Sequence, residues 1–196
     1  MQDAASVIAT VRRQLRLART QLWWSWRFGG LGPRTTLGSA RAVVRPASIE
    51  IGAHVSIMSG WSLVDLAPET APLGIKIRIG DWCTFLYDFQ CNAAVSVEIQ
   101  HHVLAAARVL VTDSDHIVDP EGRATTLCQE FRSAPVVIEH NCWLGQGSAV
   151  VGGVRIGHHS IVGANAVVTK DVPPCSVVVG APARIIGSTR KRKTSS

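Results

Sequence analysis

Seven histidines are the groups in this chain best suited to move a proton near neutral pH: His54, His101, His102, His116, His140, His158 and His159. A neutral imidazole makes a good base because its ordinary pKa lies close to the working pH. Asp113 and Asp115 stand just before His116. Either carboxylate could orient that ring or stabilise its imidazolium, as in other base–carboxylate pairs, and a backbone carbonyl could fill the same role. The five cysteines, Cys83, Cys91, Cys128, Cys142 and Cys175, include no C-x-x-C pair and no zinc-knuckle spacing with histidine. They read as reduced thiols. The question is which histidine is free of structural duty, and a repeat answers it.

Stepping by six from Ile138 gives Leu144, Val150, Ile156, Val162 and Val168. Glycine follows the aliphatic residue at Gly145, Gly157 and Gly163, and the fifth position is small or β-branched: Cys142, Ser148, Val154, Ser160, Ala166, Val172. The same frame runs upstream through Ile51, Ile57, Leu63, then Leu73, Ile79, Phe85, Cys91, then Ile99, Ala105, Val111, with slips that mark insertions. A helical period of 3.6 cannot produce this pattern. A hexad with one large aliphatic and one small residue suits a short strand and a turn, and three hexads make one coil of a triangular prism. The expected fold is all-β, a left-handed parallel β-helix of hexapeptide repeats. Its corners need small or αL-tolerant residues.

His54, His101, His102, His140, His158 and His159 fall at or beside the fourth position of their hexads, so these six read as corner residues. His116 differs. It follows Val111 by five residues, at the exit into a stretch of 23 residues without the frame, and this loop, 112–135, is expected to be functional.

Residues 1–45 hold eight arginines against one acid, and Arg190, Lys191, Arg192 and Lys193 form a basic tail within 187–196. The body, 46–186, has eight basic and thirteen acidic groups and no basic stripe, so the formal charge of +6 does not imply a nucleic-acid partner. In the N-terminal segment, Val7, Val11, Leu15, Ala18 and Leu22 share a helical stripe opposite Arg12, Arg13, Arg16 and Arg19, with Trp23, Trp24 and Trp26 following. Two readings stay open: a cap on the prism's end, or a basic amphipathic segment at an anionic membrane surface. No apolar run approaches the roughly 18 residues of a spanning helix, and the segment lacks the apolar core of a secretory signal. A cytoplasmic protein, with peripheral contact to the membrane's inner face, is the expectation.

Residues 136–186 carry W-L-G at Trp143–Gly145, G-A-N-A-V-V-T-K-D-V-P-P from Gly163 and G-A-P-A-R from Gly180. This segment resembles the hexapeptide-repeat acyltransferases, most closely the maltose, galactoside and exopolysaccharide O-acetyltransferases, and the resemblance covers about 46–186. It implies an acetyl-CoA-dependent O-acetyltransferase acting on a carbohydrate in cell-surface polysaccharide synthesis, assembled as a homotrimer with coenzyme A held between prisms and no metal. By motif position His116 is the general base. Trp143 and Gly145 would line the pantetheine slot, the backbone of Ala164 would bind its amides, and Thr169, Lys170 and Arg184 would meet the nucleotide end. Lys and Arg suit the phosphates there. Asp88 is the counterpart of an acceptor-binding Asn that this chain lacks. Two rivals share the fold: a non-catalytic trimeric scaffold, and a zinc carbonic anhydrase, which needs three His across a subunit interface and would draw on His101 or His102 with His116 and another His.

Overall fold

The computed structural model describes residues 14–118 and 131–190, apart from 16 and 69. Three parallel sheets form the faces of a left-handed β-helical prism. The first face runs Gly30–Leu31, Ile49–Ile51, Ile77–Ile79, Val97–Ile99, Val136–Ile138 and Arg155–Ile156. The second carries Thr36–Leu37, Ser56–Ile57, Thr84–Phe85, Leu104–Ala105, Trp143–Leu144, Ile161–Val162 and Ser176–Val179. Arg184–Ser188 folds back antiparallel on that last strand and covers its edge. The third face runs Ala40–Val44, Trp61–Asp65, Gln90–Ala93, Leu110–Thr112, Ala149–Val150 and Val167–Val168.

The hexad explains the interior. Ile138, Leu144 and Val150 lie in register with Ile156, Val162 and Val168 one coil on, and all six are at most 1% exposed. Burial of such side chains contributes roughly 1.5–3 kcal/mol each. The fifth position also points inward, so Cys142, Ser148, Val154, Ser160, Ala166 and Val172 are buried at the corners, as are Trp61, Cys83 and Phe89 upstream. The fourth position carries the turn. His54, Asp88, His102, Asn141, His159 and Asn165 all adopt positive φ there, between 56° and 61°.

Three expectations are corrected. Leu73 is 86% exposed in the loop between the second and third coils, and Ile77 and Ile79 fill the core instead. Its six-residue step to Ile79 is an accident of loop length. The prism also starts at Gly30 rather than at 46: Leu31, Leu37 and Val43 keep the six-residue step, and their strands pair with the next coil. The third concerns the N-terminal helix, which ends at residue 24. It covers the first coil, but not with the expected stripe.

Thr20 is buried and its hydroxyl accepts the Leu37 amide at 3.0 Å, while Trp24 packs on Phe28 and Trp61 with ring centroids 5.1 and 5.9 Å apart. Leu15 and Leu22 face away, 65% and 79% exposed. Among the described residues the open coil is closed by Thr20, through its hydrogen bond, and by Trp24, through its ring contacts, and not by Leu15 and Leu22 of the stripe. Val7, Val11, Arg12, Arg13, Arg16, Cys128 and Lys191–Lys193 lie outside the described residues.

Candidate active site

The loop leaves the prism at the edge between the third and first faces, here the loop edge. Thr112 ends a third-face strand and Asp113 turns the corner, fully buried. Its Oδ1 accepts the Ala94 amide and its Oδ2 the Val95 amide, both at 2.7 Å, so the carboxylate grips the coil before it. Its carbonyl accepts the Ala134 amide at 2.9 Å, which ties the loop's two ends together. On the other side a Cβ at Gly152 would stand 2.8 Å from the same carbonyl oxygen, so only glycine lets the fifth coil approach.

From this anchor Ser114–His116 pairs antiparallel with Phe131–Ser133, and the short ribbon carries His116 into solvent. Successive side chains of a strand point to opposite sides, so Asp115, across from Arg132, leaves the ribbon on the side away from His116. Of the two carboxylates expected to serve the ring, Asp113 is held by two backbone amides, while Asp115 stands exposed on the ribbon across from Arg132.

Thr169 and Lys170, both exposed, lie on the same loop edge two coils further along. At a coil spacing of about 4.8 Å, that is roughly 10 Å along the axis. The other expected donor residues lie elsewhere. Gly145 and Ala164 sit on the edge between the second and third faces, where a Cβ on Gly145 would meet the Ala164 amide nitrogen at 2.6 Å. Ala164 is exposed there. Arg184 starts the final strand beside this edge, because the neighbouring Ala183 amide bonds the Val167 carbonyl. Trp143 stands outward on the second face, 48% exposed, between Leu104 and Ile161.

Asp88 occupies a corner of the same edge as Ala164, and its Oδ1 lies 3.3 Å from Arg41 Nη2, both side chains well exposed. A turn at Ala164–Asn165 and the strand Val167–Val168 separate Ala164 from Thr169, a span of at most about 16 Å. One chain therefore divides the expected residues between two edges. His101 and His102 stand on the remaining edge, between the first and second faces, and share no site with His116 in one chain.

The sequence reading passed over one arrangement on that edge. The rings of His101, His140 and His158 stack at 4.9 and 5.0 Å, with His102 and His159 beside them. Histidines at the third hexad position of successive coils were the available signal.

Known proteins match this architecture. The family model "Bacterial transferase hexapeptide (six repeats)" covers residues 135–170. A protein of Schizosaccharomyces pombe named as an acetyltransferase is 31% identical over 159 residues, 80% of this chain and 73% of its own length. Galactoside O-acetyltransferase of Escherichia coli is 37% identical over 97 residues, and that match spans 50% of this chain and 46% of the enzyme. Among solved structures, a hexapeptide-repeat acetyltransferase of Vibrio cholerae complexed with acetyl coenzyme A superposes with a TM-score of 0.58 at 24% identity, over 97% of this chain and 92% of that one. The N-acyltransferase AntD of Bacillus cereus, in complex with dTDP and 3-hydroxybutyryl-CoA, gives 0.69 at 20% identity over 86% and 87%. A prism of six-residue repeats, a loop that departs beside Asp113 and a relative matched over most of its length lead to one assignment: the chain belongs to the hexapeptide-repeat acyltransferases.

Proposed function

We propose that the chain is an acetyl-CoA-dependent O-acetyltransferase whose acceptor is a carbohydrate hydroxyl, in cell-surface polysaccharide synthesis, with His116 as the general base. The observation that carries this reading is the position of His116: a solvent-facing imidazole on a ribbon anchored to the prism by the buried Asp113, on the same edge as Thr169 and Lys170. Acetyl-CoA supplies the thioester. The imidazole takes the proton of the acceptor hydroxyl as its oxygen attacks the thioester carbonyl, and the tetrahedral species collapses with release of the coenzyme A sulfur. The imidazolium then returns the proton to that sulfur, so the ring ends as it began.

Asp113 is a positioning residue in this scheme, because both its oxygens tie the point where the ribbon leaves to the coil before it. Lys170 and Arg184 offer cationic partners for the donor's phosphates, Trp143 an apolar wall, and Asp88 a polar contact for the acceptor. Since one chain divides these groups between two edges, a complete site forms where the loop edge of one copy meets the opposite edge of another. A cyclic homotrimer supplies three such junctions. The exposed face of the N-terminal helix suits peripheral contact with a membrane carrying the acceptor.

The test is acetyl-CoA turnover, read as thiol release, by the full chain against sugars, nucleotide sugars and amino sugars. Hydroxyl acceptors should support turnover, and His116→Ala should lower kcat by about a thousandfold while assembly and coenzyme A binding persist. Near-normal turnover by that variant removes His116 as the base. Transfer only to amines moves the acceptor class, and no transfer together with no thermal stabilisation by coenzyme A favours a scaffold.

A further inference from the structure

The edge between the first and second faces is distant in the fold from the loop edge and takes no part in the scheme above. On it, His140 from the fifth coil and His158 and His159 from the sixth place one ring nitrogen each within 4.8 Å of the others. We propose that these three histidines form a binding site for a divalent transition-metal ion of the zinc, nickel and copper class, which clips the fifth coil to the sixth.

The chemistry of the donor set selects this class. Three imidazoles with no carboxylate or thiolate among them suit zinc, copper and nickel, and do not suit magnesium or calcium, which demand oxygen. The distances are close to what such an ion needs. A zinc–nitrogen bond is about 2.0–2.1 Å, so two nitrogens on one tetrahedral ion lie roughly 3.3 Å apart, and on a right-angled one roughly 2.9 Å. The Nδ1 atoms of His158 and His159 are 3.0 Å apart and face each other. The third nitrogen lies within 4.8 Å of the other two, and His140, now stacked on His158 at 5.0 Å and edge-on to His159 at 5.4 Å, must turn out of that stack to aim its lone pair at the same ion.

The surroundings hold the rings in that arrangement. The left-handed backbone of His159, with φ of 57°, turns its side chain back toward its neighbour. Asn141 stands 3.3 Å from His159 Nε2, and with its amide oxygen turned to that nitrogen it accepts Nε2–H and leaves the Nδ1 lone pair for a metal. The His158 backbone is pinned by its amide to Glu139 Oε2 at 2.8 Å, and Glu139 Oε1 holds Arg155 at 2.8 Å. Glu139 therefore contributes negative charge beside the site while both its oxygens stay engaged. The rings are partly exposed, so an ion has a path in and keeps positions for water.

The experiment uses the full chain freed of metal by chelation, titrated with zinc alone in a calorimeter and followed by thermal melts. The expected result is one saturable equivalent per chain with micromolar affinity and a rise in Tm with zinc. The double substitution His158→Gln, His159→Asn should weaken binding at least tenfold. Asn tolerates the left-handed backbone at position 159, so the coil survives. His101→Gln, a stacked neighbour outside the triad, should change affinity less than threefold. Absence of a saturable zinc equivalent, or equal affinity in wild type and the double variant, overturns the proposal. Acetyl transfer does not enter any of these readouts, so failure here leaves the acyltransferase reading untouched.

Discussion

Asp113 Oδ2 accepts the Val95 amide at 2.7 Å inside the prism wall, so this carboxylate, three residues before the candidate base, is a clamp between coils. Asparagine at 113 keeps the shape but offers one acceptor oxygen where two amides, of Ala94 and Val95, need partners. A buried donor left unpaired costs about 1–3 kcal/mol. Asp113→Asn should therefore lower Tm by about 2–12 °C and reduce kcat through a loosened ribbon, with the pH dependence of kcat/KM unchanged. Had Asp113 oriented the imidazole, the variant would instead move the pH profile at nearly constant Tm. Thermal melts and pH profiles on the same preparation separate the two.

The core was legible wherever a hexad kept its large residue. Ile138 through Val168 all turn inward, because a period of six admits no other face. The first coil escaped notice although Leu31, Leu37 and Val43 hold the step, because the arginines and tryptophans beside them gave a stronger amphipathic signal. Leu73 mimicked the frame from within a loop. At the site, the spacing of His116 from Val111 marked the loop exit. The role of Asp113 was invisible, since the amides it binds belong to a coil some twenty residues earlier and register between coils is a tertiary property. The partition of Ala164 and Thr169 between two edges was likewise hidden until the faces were laid out.

The cysteines give a stability signature in alkali. Burial pushes the Cys83 and Cys142 thiols from 9.0 up to about 11. A group whose pKa is higher in the folded state contributes its full stability below the unfolded pKa and loses it as pH rises through the folded one. Stability should thus hold up to about pH 9 and decline between about 9 and 11. Chemical denaturation across this range checks the slope, and Cys83→Ser with Cys142→Ser should reduce it, the remainder coming from Cys91, whose thiol burial pushes up further still. At pH 8 the same two thiols should resist alkylation in the native chain and react once it is unfolded.

The N-terminal helix tests whether one element can serve two surfaces. Its inner side, through Thr20 and Trp24, closes the prism together with Phe28 from the turn that follows, so truncation would expose the core and confound any binding assay. Its outer side presents Leu22 and Trp26, 79% and 71% exposed, and the Arg27 guanidinium lies 4.3 Å over the rings of both Trp23 and Trp26. Aromatic rings with a cation between them suit the headgroup zone of an anionic bilayer. The double substitution Leu22→Ser, Trp26→Ser should cut partitioning to vesicles containing anionic lipid at least tenfold with Tm unchanged, because neither side chain belongs to the cap. Wild-type binding should weaken as salt is raised. In contrast, Trp24→Ala should lower Tm by several degrees, since it removes a ring packed on Phe28 and Trp61. Equal partitioning of wild type and the double variant would leave the helix as a cap alone.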